Sequence, residues 1–345
     1  MATDTDTEGL TGGESGTERD RTGNAVVNWM ESLSEAAYAY LLLLPAFALL
    51  TLIAFYPLLR TFIMSLRADQ TRGMEPLGAF VGVENYVDIL TGNARLARQF
   101  LDVSLSTSFP FIELGVPFFQ QALFVTLAFA IISVLFETII GFGQAYVLDQ
   151  EFTGRRWVRV AIILPWAVPI VIQGMIFFLL FQPEVGFGTD IMQWLGIFSA
   201  SPLANSRDAF IIILVADIWK SSAFMALLIL AGLQSVDRSL YDVARVAGAS
   251  PWQRFKMITL PLVMPALLVA MLFRTMDAMR VFGLIESTAG CTTVPSLTCL
   301  VVEAMFGGTR IFATAATVAF TTALVIGLII GGYVLLFRDT EGGMY

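Results

Sequence analysis

Six long runs of hydrophobic residues alternate with polar segments along the chain. Each run is long enough for a helix, at about 1.5 Å per residue, to cross about 30 Å of hydrocarbon. The predicted spans are residues 38–59, 122–148, 158–181, 209–233, 262–282 and 313–337. The pattern therefore predicts an all-α integral membrane protein whose transmembrane domain covers residues 35–338.

The polar segment between the fourth and fifth spans, residues 234–261, has a helical pattern of its own. Arg238, Asp242 and Arg245 recur at i, i+4 and i+7, so a helix would place them on one face. Ala244 belongs to a second face where small residues recur. From the residues alone two interpretations stay open. One is an ordinary amphipathic loop, and the other is a docking element in which small residues admit a partner and charges fix its register.

A stop and a new start divide segment 234–261 into two short helices. Gly248 predicts a left-handed end to the first helix, since only glycine takes a positive φ without steric cost. Ser250 followed by Pro251 predicts an N-cap and a first-turn proline, from which a second helix begins. The segment is therefore expected to be a helix–turn–helix rather than an extended loop.

The same residues resemble the EAA loop of ABC-importer permease subunits, in which E-A-A, three residues, G, nine residues and I-x-L-P follow one another. The matching residues are Asp242, Val243, Ala244, Gly248, Ile258, Leu260 and Pro261. Asp242 replaces the usual Glu and Val243 replaces the first Ala, so the acid is carried on a shorter arm. The resemblance implies a cytoplasmic coupling site for an ATPase, formed by Asp242, Ala244, Gly248, Ala249, Pro251 and Arg254.

Two stretches near the N-terminus resemble the sugar-type members of that family. Residues 33–59 resemble their first helix, including Tyr56 and Pro57 near its end. Residues 80–90, FVGVENYVDIL, resemble their F-V-G-L-x-N-Y element outside the membrane. Residues 60–121 are therefore expected to be extracellular, with short helices rather than a separate domain.

The distribution of Lys and Arg predicts the orientation, because short cytoplasmic loops are enriched in them. One side of the predicted membrane domain carries Arg155, Arg156, Arg159, Arg238, Arg245, Arg254, Lys256 and Arg338. The loops on the other side, residues 182–208 and 283–312, carry only Arg207 and Arg310. We therefore expect both termini and segment 234–261 to face the cytoplasm, in a multi-pass protein of the cell membrane.

Composition agrees with this picture. The 345 residues are 57% hydrophobic and 14% charged, with a mean hydropathy of +0.75 and a net charge of −8. Residues 1–34 are expected to be a disordered acidic tail in the cytoplasm, and residues 339–345 a C-terminal tail. The acidic balance argues against nucleic acid as a partner. Lys220 and Lys256 are the only lysines, which is typical of a halophilic archaeon or of a membrane protein with little surface.

The residues that the sequence lacks exclude several kinds of site. It has no histidine, so no haem or metal site is expected. Neither lysine follows a glycine as in a P-loop, so ATP and Mg²⁺ are expected on a partner ATPase and no cofactor on this chain. No nucleophile and base form a catalytic set, so the chain is expected to be a transport subunit and not an enzyme. The residues leave open whether Cys291 and Cys299 form a disulfide.

Three charges lie within the fifth predicted span, where Arg274, Asp277 and Arg280 recur at i, i+3 and i+6. Charges in a span are costly and usually face the protein interior or a water-filled cavity. One interpretation is structural: Asp277 pairs with one arginine and Arg280 extends to the interface. The other is a polar lining for a hydroxyl-rich solute, to which Gln173 and Trp219 are weaker candidates.

Three more charges lie in the second and fourth spans. Asp217 and Lys220, at i and i+3, are most simply an internal ion pair. Glu137 has no evident partner and is expected to be neutral or to line a cavity.

The resemblance covers residues 35–338 and implies a set of partners. They are a second permease subunit, two ATPase subunits, an extracellular solute-binding protein and a small-molecule solute. Sugar is favoured as solute, with glycerol phosphate or another polyol still open. The alternative is an ion- or proton-coupled secondary transporter with Glu137, Asp217 or Asp277 as the coupling acid. Such a transporter needs no docking loop and usually has inverted repeats, which the sequence does not show.

Overall fold

The computed structural model describes residues 29, 34–70, 77–105, 112–308 and 310–342. The chain divides into two compact units, Met1–Arg60 and Thr61–Tyr345. The predicted acidic tail lies almost wholly outside the described residues, as do the last three residues of the chain.

The first unit is a helix interrupted by one π-helical turn. α1 (Glu35–Leu50) begins at Ser34, whose hydroxyl accepts a hydrogen bond from the Ala37 N–H at 3.3 Å. The π-helical turn Thr51–Phe55 leads into α2 (Tyr56–Ser65), whose last residues belong to the second unit. Together they form a candidate membrane span of 31 residues, so the first predicted span is confirmed and longer than expected.

The segment after α2 differs from the prediction, because it contains strands as well as a short helix. β1 (Arg67–Asp69) pairs antiparallel with β2 (Leu77–Phe80), and α3 (Glu84–Leu90) follows. β3 (Val103–Leu105) then pairs antiparallel with β4 (Ile112–Leu114). Strands this short are stabilised by partners elsewhere in the chain rather than by a local period, so the sequence pattern did not indicate them.

The residues of the F-V-G-x-x-N-Y element have a structural role in this segment. The Asn85 side chain donates to the carbonyl oxygens of Ser65 and Arg67, at 2.9 and 2.7 Å. The Tyr86 hydroxyl lies 2.7 Å from the Ser65 hydroxyl. The element therefore fixes the path of the chain as it leaves α2.

Helices make up most of the remainder. In chain order they are α4 (Ala122–Asp149), α5 (Arg155–Ala167), α6 (Ile170–Phe181), α7 (Phe187–Trp194), α8 (Ser206–Gln234), α9 (Arg238–Val246), α10 (Pro251–Arg254), α11 (Leu260–Ala278), α12 (Gly283–Thr288), α13 (Leu297–Phe306) and α14 (Phe312–Gly342). Among the described residues five helices are long and apolar enough to cross a membrane, and a bent pair raises the number to six. Five to six candidate spans agree with the predicted number of about six, and the predicted helical membrane fold is confirmed.

α4 and α8 form the centre of the second unit. The two helices contact closely at Gly141, where the absence of a side chain leaves room for Met225. A Cβ at Gly141 would lie only 2.6 Å from the Cβ of Met225. Met225 and Ile229 of α8 are fully buried, and the same cluster includes Val263 of α11. The second, fourth and fifth spans therefore pack as one core.

The third predicted span is not one straight helix. It consists of α5 and α6, which meet at 92° across Val168 and Pro169. Pro169 has no N–H and disfavours helical geometry at the preceding residue, where Val168 is extended with ψ = 128°. The apolar run alone did not reveal this break.

The fifth span also differs in its bounds. α10 continues through a π-helical turn, Phe255–Thr259, directly into α11, so the candidate span is Pro251–Ala278. The helix ends at Ala278, four residues earlier than predicted. Beyond it, a disulfide joins Cys291 to Cys299, which answers the question that the sequence left open.

Candidate functional site

The first helix of segment 234–261, α9, ends at a left-handed glycine, as the sequence predicts. Gly248 has a φ of 81° and its N–H donates to the Arg245 carbonyl at 3.1 Å. The Ala249 N–H donates to the Ala244 carbonyl at 2.9 Å. These two bonds form a Schellman motif, which satisfies the last carbonyls of α9.

Side chains cap the starts of both helices. The Asp237 carboxylate accepts the Ser239 N–H at 2.9 Å, and this bond lowers the pKa of Asp237. Ser250 and Gln253 form a reciprocal capping box around Pro251, with bonds of 2.7 and 3.3 Å. The helix–turn–helix is therefore specified locally at each of its ends.

Two contacts attach α9 to the spans. Arg238 donates to the Asp149 carboxylate at the end of α4, at 2.7 Å, and this bond raises the pKa of Arg238. The Tyr241 hydroxyl lies 3.0 Å from the Thr259 hydroxyl in the π-helical turn. Asp149, Tyr241 and Thr259 are not recognisable as site residues from the sequence, because no local pattern indicates that they meet these partners.

Other side chains of α9 are exposed. The Asp242 side chain is 68% exposed and forms an ion pair with Arg245 at 3.2 Å. Val243 and Val246 are 69% and 91% exposed. Exposed valines beside an exposed acid are typical of a surface that another protein covers.

A cleft of ≈ 210 Å³ separates α9 and α10, and Asp242, Pro251 and Arg254 are among the residues that line it. The Nε atom of Arg254 is buried and has no hydrogen-bond partner among the described residues. Arg254 also makes no ion pair with another described residue. It therefore presents a positive charge to the cleft without a counter-ion from the described chain.

A second charged site lies in the membrane domain, around Arg274 of α11. Its Nε and Nη2 donate to the two carboxylate oxygens of Glu137 in α4, at 2.5 and 3.0 Å. Nη2 also donates to Asp217 of α8, and Nη1 donates to Asp277 at 2.8 Å. One arginine thus binds carboxylates from three spans.

This cluster corrects two predictions. Glu137 is fully buried and is not a lone acid, because Arg274 neutralises it. Asp217 pairs with Arg274 rather than with Lys220. Lys220 instead donates to the carbonyl oxygen of Val168 at 2.5 Å.

The structure divides the five solute-path candidates into two groups. Arg274 and Gln173 are buried, and the Gln173 side chain donates to the Ala216 carbonyl at 2.5 Å. The polar groups of both side chains therefore lie inside the protein in this structure. The Asp277 side chain is 75% exposed and Trp219 is 42% exposed. Arg280, just beyond the end of α11, is exposed, and its Nε donates to the Met276 carbonyl. The structural interpretation of Asp277 paired with Arg274 is correct for this contact.

Comparison with known proteins identifies the family. The family model described as "Binding-protein-dependent transport system inner membrane component" matches residues 137–338, which is more than half of the chain. The chain belongs to this family. It is a membrane component of a transport system that depends on a binding protein, and it is a transport subunit rather than an enzyme. The predicted ABC-importer permease resemblance is confirmed.

Two curated relatives are permeases. The trehalose/maltose transport system permease protein MalF of Thermococcus litoralis is 36% identical over 256 residues, which are 74% of this chain and 78% of the relative. The trehalose transport system permease protein SugA of Mycobacterium tuberculosis is 29% identical over 290 residues, 84% of this chain and 85% of the relative.

A solved structure shares the fold. A chain in the crystal structure of a bacterial alginate ABC transporter, in complex with an alginate pentasaccharide-bound periplasmic protein, matches with a TM-score of 0.64. The two sequences are 20% identical, and the match covers 92% of this chain and 96% of that one.

Proposed function

We propose that the chain is one of two membrane subunits of an ATP-driven importer for a sugar of the trehalose or maltose type. The observation that carries the proposal is segment 234–261. It is a helix–turn–helix with an exposed acid, an exposed apolar face and firm attachment to two spans. The names of the relatives MalF and SugA support sugar as the solute.

In this proposal segment 234–261 docks on an ATPase subunit that holds ATP and Mg²⁺. Asp242 pairs with a basic group of the ATPase, Ala244 and Ala249 admit close approach, and Gly248 sets the turn. Arg254 binds an acidic group in the neighbouring cleft. Motion of the docked segment passes directly into the fifth span, because α10, the π-helical turn and α11 are continuous.

The proposed complete importer contains this chain, a second permease, two ATPase subunits and an extracellular solute-binding protein. Asp277 is its best-placed solute-path residue, supported by its exposure beside a buried arginine. Trp219 and Arg280 accompany it. Arg274 and Gln173 do not line the proposed path and instead hold neighbouring helices in place.

Two observations support an orientation with segment 234–261 and both termini in the cytoplasm. Basic residues concentrate at that end of the spans. The Cys291–Cys299 disulfide lies beyond the opposite end of α11, and disulfides persist in oxidising compartments outside the cytoplasm.

Reconstitution tests the proposal. The chain, its second permease and the ATPase are co-purified into liposomes, and uptake of labelled trehalose and maltose is measured with a loaded binding protein outside. We expect uptake to require ATP inside and the binding protein outside. A Glu→Gln change of the catalytic acid in the ATPase is the matched control and should abolish it.

A specific result favours the alternative. If the chain without the ATPase accumulates solute when a proton or sodium gradient is imposed, it is a secondary transporter and the proposal is wrong. If uptake needs ATP but neither sugar is carried, the importer is supported and the sugar assignment fails.

A further inference from the structure

The break in the third span leaves backbone groups without helical hydrogen bonds, and Lys220 binds one of them. α5 ends at Ala167 and α6 starts at Ile170, so the peptide groups between them leave the helical pattern. Within a bilayer no water satisfies such groups, so an unsatisfied carbonyl or N–H is strongly unfavourable. Lys220 of α8 donates its Nζ to the carbonyl oxygen of Val168, at 2.5 Å. It therefore supplies the hydrogen bond that the break removes.

The position of this bond also suits an amino group. Val168 is the C-cap of α5, and the carbonyl end of a helix carries partial negative charge. No described carboxylate lies within ion-pair distance of the Lys220 Nζ, so the amino group is directed to the helix end rather than to an acid.

The second half of the broken span is attached to the same turn of α8. Gln173 of α6 is fully buried and donates its Nε2 to the Ala216 carbonyl at 2.5 Å. Ala216 lies one helical turn before Lys220. One turn of α8 therefore holds both halves, α5 through Lys220 and α6 through Gln173.

That turn of α8 is also bound to α11, and α6 contacts a further element, α12. Asp217, within the turn, is bound by Arg274 of α11. Gly174 of α6 packs so closely on Ser287 of α12 that a Cβ would overlap the hydroxyl, and Thr288 donates to the Gly174 carbonyl at 3.4 Å. A change in the bend would therefore move α6 and α12 together.

We propose that Lys220 is a positioning residue that holds the broken third span at its angle. Its hydrogen bond to Val168 makes the break a defined hinge, with α6 and α12 on the moving side. For transport, the inference rests on the proposed function, since the hinge would govern how those helices open. The proposed effect of Lys220 on the angle between α5 and α6 does not depend on the proposed function.

Distances between spin labels test the geometry directly. Labels are attached to cysteines introduced at Trp157 in α5 and Leu179 in α6, which are 74% and 55% exposed. The two native cysteines are joined in a disulfide. At 1.5 Å per residue, the two positions are about 23 Å apart at the observed bend and about 33 Å apart in a straight helix. We expect one narrow distribution near the shorter value in the parent complex.

Lys220→Met should broaden the distribution and shift it towards the longer value, because it removes the donor. Lys220→Arg keeps a donor and should retain the narrow distribution. Lys256→Met, at the only other lysine of the sequence, is the matched control for the distance measurement and should leave the distribution unchanged. If the Lys220→Met distribution superimposes on that of the parent, the inference is overturned.

Uptake supplies the second readout in the complete complex. We expect Lys220→Met to lower the maximal uptake rate about tenfold while the affinity for the loaded binding protein stays unchanged. Lys220→Arg should restore at least half of the rate. Should Lys220→Met fail to accumulate, Gln173→Leu tests the other attachment with the same labels, and an unaltered distribution there also contradicts the inference. A parent complex without uptake would refute the proposed function and leave the distance test intact.

Discussion

Arg274 of the fifth span holds Glu137 of the second span through two hydrogen bonds, of 2.5 and 3.0 Å, although 137 residues separate them in the chain. Both side chains are almost completely buried, at 2% and 0% exposed. A buried ion pair is costly when one partner is missing, because the remaining charge has no water. Together with the bond from Arg274 to Asp217, this pair therefore stabilises the packing of the second, fourth and fifth spans.

Removal of the arginine should destabilise the protein severely. Arg274→Met leaves Glu137 and Asp217 without their cation, and we expect a loss of about 3–5 kcal/mol. The measurement is abundance in the membrane together with the unfolding temperature in detergent. Arg280→Met, at an exposed arginine of the same region, is the control and should match the parent in abundance and unfolding temperature.

Replacement of the buried group as a whole separates charge from packing. Glu137→Gln, Asp217→Asn and Arg274→Met together leave no unpaired buried charge, so the triple variant should recover most of the lost abundance. A double variant that changes only Asp277 and Arg274 should not recover abundance, because Glu137 and Asp217 would still lack a cation. A triple variant as scarce as Arg274→Met alone would show that the cluster does not act through charge.

Asp277 should matter to transport more than to folding. Its side chain is 75% exposed, so its bond to Arg274 is weakened by solvent and worth about 1 kcal/mol or less. We expect Asp277→Asn to lower uptake about tenfold while the complex assembles and hydrolyses ATP. Asp277→Glu, which keeps the charge, is the control. Wild-type uptake by Asp277→Asn excludes it from the solute path.

Gly248 should tolerate only residues that adopt a positive φ. No described atom lies within 4 Å of a Cβ built there, so any effect of substitution comes from its φ of 81°. Gly248→Leu should strain the turn by about 1–2 kcal/mol, misplace α10 and abolish uptake without loss from the membrane. Gly248→Asn should retain much of the uptake, since asparagine tolerates this conformation. Equal uptake by the leucine and asparagine variants argues against a role for the turn.

Asp242 should govern attachment of the ATPase. Asp242→Lys places like charge against a basic partner and should reduce co-purification of the ATPase and the ATP hydrolysis stimulated by binding protein. Asp190→Lys makes the same charge change at an exposed residue of α7, near the other end of the spans, and should have no effect. Wild-type assembly and stimulation in Asp242→Lys would identify Asp242 as a solvated loop acid.

Glu303 should make stability depend on pH. Burial raises the pKa of its carboxyl, partly offset by Arg98, and Oε2 has no hydrogen-bond partner among the described residues. The folded state therefore favours the protonated acid. The contribution of Glu303 to stability is fully present below the unfolded pKa of about 4.3 and is lost as pH rises through the raised folded value.

Glu303→Gln removes this dependence. The unfolding temperature of the variant should match that of the parent near pH 4 and exceed it increasingly towards pH 8. Melting curves at four pH values give the comparison. A constant difference across the range would mean that Glu303 does not titrate between the two states.

The helix–turn–helix of segment 234–261 was predictable because each of its features is local. A glycine ends α9, a serine and a proline start α10, and the partners of each hydrogen bond lie within five residues. The six apolar runs were equally predictable, since the length of a span is fixed by the thickness of the bilayer. The family motif could be identified for the same reason.

The pairing of charges could not be predicted in this way. The i, i+3 spacing predicted an ion pair between Asp217 and Lys220. In the structure, Asp217 instead pairs with Arg274, 57 residues away. In the structure, Lys220 donates to the carbonyl oxygen of Val168. This carbonyl lies at the break in the third span, which the continuous apolar run did not indicate. Local sequence determined which segments become helices in the membrane. Only the tertiary structure decided which buried charges meet, because a buried group binds whichever partner packing brings to it, however distant in the chain.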